Sequence, residues 1–566
     1  MLSNGMRFKE IYALIPDSFR KRGVLVSVSL FFRALLDFAG VVVFIPVLAR
    51  VLEKEGSVES VLPAAGAAMA FILLKSWLSV LLAKYRSRYV FSLYTALADS
   101  VMRKFLSRGL LFIRQSNSVD LANKVNAVTM TFTSGILLSF LNAMSSLLLL
   151  LIILAALFIY EPLPTLALLL VIGPFMFFYS FYVRNSMKKL GVEENRARRG
   201  QARKVLEMFR GYPEYCINGA AERQLSSFLS ELEKVGDVRL KTESYSAASS
   251  GFMEITMMLS IVILMMLSMS GPWGMSMTFG IFALSAMKIL PSVRSIVASW
   301  QAMQSSSYSI DILKDILMEP GAMEPRHFSP DRQEKITFSR DISLRGVSFR
   351  YGGPDSYIFR DLDLTIGKGE YVGIKGRSGA GKTTLFNLLM GFYTPEEGGL
   401  YVDDTRIGPE NIGAWQSLLG YVPQDVFLVD GTFVENVAFG EDASAADRAR
   451  IEHIFRRTGL WDWVSGLPEG MDTRLAEAGN SISGGQRQRI GIARALYKGA
   501  SVLFFDEATS SVDLESETQI NSFISELSAD DTSLTVVVIA HRQETLGSCR
   551  RIIDLDRLVA KHENRR

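Results

Sequence analysis

The sequence predicts a membrane protein of two domains. Six transmembrane helices, joined by long helical extensions on the cytoplasmic side, precede an α/β domain built on a P-loop. Three observations predict this. Long apolar runs fill roughly the first 300 residues. Beyond a proline-rich break, short β-branched runs alternate with helical patterns. One of those runs leads straight into Gly376-Arg-Ser-Gly-Ala-Gly-Lys-Thr383, a complete G-x-x-x-x-G-K-T.

Composition agrees. A chain of 566 residues is too long for one domain. Its 49% hydrophobic content together with 21% charged residues suits a membrane domain joined to a soluble one. A net charge of +3 gives no general pull toward nucleic acid, so no such partner is expected. Cys216 and Cys549 stand far apart, on segments expected in the cytoplasm, so no disulfide framework is expected. Nor is a cleavable signal peptide: the apolar run from Val24 is too long and carries Arg33 and Asp37.

A helix needs about 20 mainly apolar residues to cross the hydrocarbon core. Residues 24–51, 61–82, 133–159, 163–183, 251–269 and 278–300 qualify. Arg20, Lys21 and Arg22 flank the first, Lys84, Arg86 and Arg88 follow the second, and Arg184, Lys188 and Lys189 follow the fourth. The opposite connections carry almost no cations, so both termini are expected in the cytoplasm. Connections 83–130 and 184–250 are too long for loops and read as polar helix. Residues 1–317 thus form the expected membrane domain. Residues 318–335, with three prolines, form a linker, and 336–566 form the α/β domain. Its uninterrupted apolar runs, such as Val502-Leu-Phe-Phe505, are those of a mainly parallel sheet buried on both faces.

The strand before the P-loop and the helix after it are the context this motif requires. Gly376, Gly379 and Gly381, with Ser378 and Ala380 between them, turn backbone amides toward the phosphates of ATP. The following helix start adds its dipole. Lys382 reaches the β- and γ-phosphates, Thr384 belongs to the same cradle, and Thr383 is placed as a Mg²⁺ ligand. Asp506, at the end of an apolar strand, is positioned for the Mg²⁺ hydration shell. Glu507 beside it is the expected general base for the attacking water. Ser483, Gly484, Gly485 and Gln486 open a helix, whose amides offer a second phosphate site.

The run Ile482-Ser-Gly-Gly-Gln-Arg-Gln-Arg489, about a hundred residues after the P-loop and followed by Phe504-Phe-Asp-Glu507, resembles the nucleotide-binding domain of ABC ATPases. Behind a membrane domain, it resembles a half-transporter of the exporter type. The resemblance implies ATP held between the P-loop of one copy and Ser483-Gly-Gly-Gln486 of another, with ATP and Mg²⁺ as cofactors. It makes His541 a γ-phosphate switch, Gln424 a γ-phosphate sensor and Mg²⁺ ligand, and Tyr351 the aromatic that stacks on adenine. Residues 508–513 become a loop facing the second copy. Helical stalks with short transverse tips are implied near 111–119 and 211–219. Ile482 stands where leucine is commoner, and 476–480 match the exporter pattern only loosely. No ATPase residue is missing, which favours a homodimer.

Arg33, Asp37, Lys75, Glu254, Lys288 and Arg294 interrupt the apolar segments. Each costs about 2.5–3.5 kcal/mol at a bilayer centre, so an inward location is expected. Arg33 and Asp37, spaced i, i+4, read equally as an internal salt bridge or as substrate contacts with Lys75. Lys288 and Arg294, with Pro291 expected to kink the helix between them, have no acid on their own helix and suggest an anionic ligand. Lys288-Ile-Leu-Pro-Ser-Val-Arg-Ser-Ile296 with Ser307-Tyr-Ser-Ile-Asp-Ile312 resembles bacterial lipid-linked oligosaccharide flippases, as does Asp37 ahead of Pro46. That implies flipping of an anionic, lipid-linked substrate in an inner membrane, with membrane lipids as further partners. A multidrug or general lipid exporter is the alternative, and an ATP-gated channel or regulator the alternative of another class.

Overall fold

A computed structural model of the chain describes residues 3–52, 58–269, 275–319, 336–352, 357–475, 482–506, 514–540 and 546–558. They fall into two compact units. One comprises Met1–Arg108 with Ile113–Ala322, the other Gly109–Phe112 with Met323–Arg566.

The first unit is helical. A short α1 (Ser3–Leu14) precedes α2 (Asp17–Val42) and α3 (Ile45–Leu52). The first expected span therefore folds as two helices. Pro46 explains the break: it has no N–H to donate, and its ring excludes the carbonyl four residues back. In the first turn of the new helix α3 it meets neither cost. The connections expected to be helical are continuations of very long helices. α4 (Val58–Ser107) has 50 residues, while α8 (Pro162–Arg210) and α10 (Ala221–Met269) have 49 each. At 1.5 Å per residue each measures roughly 75 Å, more than twice the hydrocarbon thickness. Short helices α5 (Gly109–Gln115), whose residues Gly109–Phe112 belong to the second unit, α6 (Ser118–Asn123) and α9 (Tyr212–Ile217) turn the chain between longer ones. Asn117 caps α6 by accepting from the Val119 amide at 2.9 Å. Two π-wound stretches, Lys124–Val128 and Thr131–Leu138, then lead into α7 (Ser139–Tyr160). α11 (Met275–Ser305) stays helical through Pro291, and α12 (Tyr308–Leu317) follows a two-residue turn.

Among the described residues, five stretches are long and apolar enough to span a membrane: Asp17–Val51, Val61–Ser107, Ser118–Tyr160, Ala221–Ile263 and Gly280–Ser305. The sixth expected span, 163–183, lies within α8, where the side chains of 171–172 and 175–181 fall outside the described residues. Ala34, Leu150, Ile153, Met253, Ile289 and Val293, from α2, α7, α10 and α11, form the apolar centre of this unit.

The second unit holds two sheets. β1 (Asp341–Arg350), β2 (Tyr357–Gly367), β4 (Glu397–Val402) and β5 (Thr405–Arg406) make an antiparallel sheet in the order β2-β1-β4-β5. The apolar runs noted in the sequence form the parallel sheet. β3 (Tyr371–Lys375), β6 (Leu419–Val422), β7 (Val502–Asp506), β8 (Thr535–Ile539) and β9 (Arg551–Asp554) lie in the order β6-β7-β8-β3-β9. Both faces are covered, as the uninterrupted runs require. Val502 and Phe504 enter one apolar cluster with Phe386 and Ile374, while Leu503 and Phe505 enter the other with Ile490 and Val538.

Candidate active site

Parallel strands bring their carboxyl ends to one edge, where α/β sheets bind ligands. Ile539 of β8 is the register partner of both Ile374 and Asp506. Asp506 is thus level with the residue two before Gly376, two strand spacings away, about 10 Å. On its other side Val422 pairs with Phe505, so Gln424, exposed just beyond β6, reaches the same edge. Asp506 is 8% exposed, and the Tyr421 hydroxyl donates to its Oδ2 at 3.4 Å.

The phosphate-loop candidates lie between β3 and α13 (Lys382–Leu389). Gly379 (φ 82°) and Gly381 (φ 93°) adopt the left-handed conformation that glycine favours. A Cβ on Gly381 would meet Ile358 Cγ2 at 2.7 Å. Gly376 has no such φ. Its smallness serves packing, since a Cβ there would lie 3.3 Å from that of Ala380. The Arg377 amide donates to Asp556 Oδ2 at 2.9 Å, which anchors the start of the loop, while Ser378 is exposed on the turn. Gly381 caps α13 without a side chain, which leaves the first helix amides open. Lys382, 6% exposed, donates to the carbonyls of Gly376 (2.8 Å) and Arg377 (3.2 Å) and has no carboxylate partner among the described residues. An uncapped helix start beside a cation without an anion fits a phosphate group.

Thr383 is exposed at this helix start, whereas Thr384 is buried and its Oγ1 lies 2.7 Å from the Tyr351 hydroxyl. Among the described residues no trio of carboxylate, histidine or cysteine ligands forms a metal site. Asp506 supplies a carboxylate at this edge, which suits Mg²⁺ held jointly by one or two carboxylates and phosphates.

α14 (Gly484–Tyr497) opens with a capping box. Ser483 Oγ accepts from the Gln486 amide at 3.2 Å, and Gln486 Oε1 accepts from the Ser483 amide at 2.9 Å. Both side chains are thereby committed to the helix start, and the amides of Gly484 and Gly485 are left facing outward from its first turn. Glu507, His541 and residues 476–481 and 508–513 lie outside the described residues. Two supports were not foreseen from the sequence. Asp556 gave no local signal at all. Tyr393, which packs against the rings of Phe349 and Tyr351, could have been found only through those aromatic neighbours.

In the membrane-type unit the anticipated Arg33–Asp37 pair is the weaker contact, at 3.9 Å. Lys75 Nζ approaches Asp37 Oδ1 to 2.7 Å. Asp37 therefore joins α2 to α4 more than it neutralises its own helix. Arg86, three turns beyond Lys75 on the same face, donates to Asn142 Oδ1 at 2.6 Å. Lys288 is half-buried and Arg294 exposed, and neither has an acidic partner among the described residues. Glu254 is exposed.

Residues 359–510 match the family model described as ABC transporter. The chain is 35% identical over 277 residues to the ATP-dependent lipid A-core flippase of Ralstonia nicotianae, covering 49% of this chain and 45% of that protein. It is 30% identical over 397 residues to the flippase of the same name from Photobacterium profundum, covering 69% and 66%. With that of Cupriavidus metallidurans it shares 28% over 461 residues, covering 80% and 75%. The chain thus spans between about half and three quarters of these relatives. The structure of a bacterial Atm1-family ABC exporter with ATP bound superposes with a TM-score of 0.79 at 21% identity, covering 96% of this chain and 94% of that one. Residues 359–510 thus match the ABC transporter family, the fold is that of an ABC exporter, and lipid A-core flippases are among the chain's relatives.

Proposed function

We propose that two copies of this chain form an ATP-driven transporter that flips a lipid-linked amphipath across an inner membrane. The observation that carries the reading is that one chain offers two open helix starts. One is beside Lys382 and the other at Gly484 and Gly485, as an ATP held between two copies requires. In this account the P-loop amides and Lys382 bind the β- and γ-phosphates, and Tyr351 stacks on the base. The second copy's Gly484 and Gly485 amides close over the γ-phosphate. Thr383, Gln424 and Asp506 would hold Mg²⁺, which when bound neutralises phosphate charge. Glu507 orients and deprotonates the attacking water, and His541 and Gln424 sense the γ-phosphate. The test is to purify this chain alone, reconstitute it in nanodiscs, and measure its mass and its ATP turnover. Two copies with ATPase activity support the reading. Activity only with a different half-transporter would overturn the homodimer.

The finer proposal concerns cargo. Lys288 and Arg294 have no acidic partner among the described residues, and Asp37, an acid of another apolar helix, is engaged by Lys75 at 2.7 Å. Both observations support an anionic head group, such as the pyrophosphate of a lipid-linked oligosaccharide, as the missing charge. The lipid A-core flippases among the relatives support a lipid cargo in general. ATPase stimulation by a polyprenyl-pyrophosphate glycan, but not by neutral amphiphiles, is expected. Equal stimulation by both would favour a multidrug or general lipid exporter.

A further inference from the structure

Tyr351 is held on three sides. Phe349 and Tyr393 stack on each other with ring centroids 5.2 Å apart and planes within 4°. Tyr351 stands nearly perpendicular to both, 5.3 Å from Phe349 at 83° and 5.9 Å from Tyr393 at 86°. Edge-to-face packing of this kind is attractive beyond the area it buries. On the third side its hydroxyl meets Thr384 Oγ1 at 2.7 Å, which ties the phenol to the first turn of the phosphate-binding helix. Phe349, Tyr393 and Thr384 are 3%, 4% and 4% exposed, whereas Tyr351 is 41% exposed. A large, partly exposed aromatic ring fixed by three buried neighbours is a prepared stacking surface, since its orientation is set before any ligand arrives.

We propose that Tyr393 and Thr384 are positioning residues for the nucleotide base. Tyr393 props the ring of Tyr351, and Thr384 fixes its hydroxyl, so that base and phosphates bind as one rigid unit. This rests on the reading of Tyr351 as the base-stacking aromatic. It goes beyond that reading by assigning a role to Tyr393, which would never itself touch nucleotide.

The test compares a ligand with a base and one without. Dissociation constants for ATP and for inorganic tripolyphosphate are measured on the full chain in nanodiscs, for Tyr351→Ala, Tyr351→Phe, Tyr393→Leu and Tyr393→Phe. Tyr351→Phe keeps the ring and loses the hydrogen bond. Tyr393→Leu removes the prop, and Tyr393→Phe restores it. Expected are weaker ATP binding by about 3- to 10-fold in Tyr351→Phe and Tyr393→Leu, the range for one lost polar or aromatic contact, with tripolyphosphate binding unchanged. Tyr393→Phe should return to near the parent value, and Tyr351→Ala/Tyr393→Leu should be no worse than Tyr351→Ala, as coupled residues behave. If Tyr351→Ala weakens ATP alone while Tyr351→Phe and Tyr393→Leu bind normally, stacking stands and positioning is overturned. If Tyr393→Leu weakens both ligands equally, its role is structural and the proposal fails. If Tyr351→Ala binds ATP as the parent does, the stacking reading itself fails.

Discussion

Lys75 Nζ lies 2.7 Å from Asp37 Oδ1, closer than Arg33 on Asp37's own helix, so the acid of α2 is bonded chiefly to α4. The two side chains retain 11% and 22% exposure. Removing one partner of a buried pair strands the other's charge in a low dielectric, at about 3–5 kcal/mol, whereas removing both costs less. Asp37→Ala should therefore lower the melting temperature in detergent markedly. Asp37→Ala/Lys75→Ala should recover part of that loss. A double variant as unstable as the sum of the singles would mean that the pair is not coupled.

Lys288 and Arg294 make the opposite prediction. With no acid among the described residues to strand, Lys288→Gln/Arg294→Gln should fold and melt as the parent does. It should lose stimulation of ATP turnover by an anionic lipid-linked substrate. Normal stimulation in that variant would remove the anionic-cargo proposal. A strongly destabilised variant would show instead that the two cations are structural.

Two glycines fix the corner between α11 and α12. A Cβ on Gly191 would lie 1.7 Å from the Ser305 carbonyl oxygen, and one on Gly135 would lie 2.0 Å from Ser306 Oγ. The first obstacle is backbone and cannot move, while at the second the hydroxyl can rotate away but the Ser306 Cβ, at 2.7 Å, must shift slightly. Gly191→Ala should cost about 1–3 kcal/mol or more, and Gly135→Ala less. Gly236→Ala, in open space on α10, should instead gain up to about 1 kcal/mol from helix propensity. Thermal denaturation of the three variants checks this order, and equal melting temperatures would contradict it.

The two cysteines differ in reactivity for a physical reason. Cys216 is exposed on α9, whereas Cys549 packs against β3, where a Cβ on Gly373 would lie 2.9 Å from its Sγ. Burial pushes the Cys549 thiol up to about 11, so at pH 7.5 almost none of it is thiolate. Maleimide at that pH should label one cysteine per native chain and two after denaturation. The second native label should gain speed as the pH rises toward 10. Fast labelling of both native cysteines at pH 7.5 would contradict the packing.

The ATPase unit was largely legible in the sequence because its motifs sit on strands buried on both faces, whose apolar runs are unambiguous. The P-loop, the Asp506 strand and the Ser483 helix start all lie on the expected elements. The antiparallel sheet was less legible, since β1 and β2 pair through bulges that blur their alternation. In the membrane-type unit, hydropathy gave five of the six expected spans among the described residues, but not the break before Pro46 or the π-wound turns, which depend on local backbone packing. Pairing across helices was hidden as well. Arg33 and Asp37 are neighbours in sequence, yet Lys75, 38 positions on, is the closer partner. The 11-residue step from Lys75 to Arg86 did place both on one face, a signal that could have been used.

Under the proposed function this chain couples ATP hydrolysis to lipid translocation, with Glu507 as the general base. The most direct measurement reconstitutes the parent and Glu507→Gln in proteoliposomes containing a fluorescent anionic lipid-linked glycan, and follows its exposure on the opposite leaflet. Parent liposomes should show ATP-dependent translocation. Glu507→Gln should bind ATP normally but turn over at least about 100-fold more slowly, the lower range for losing a general base, and show no sustained translocation. Translocation by the parent without ATP, or undiminished hydrolysis and translocation by Glu507→Gln, would contradict the account.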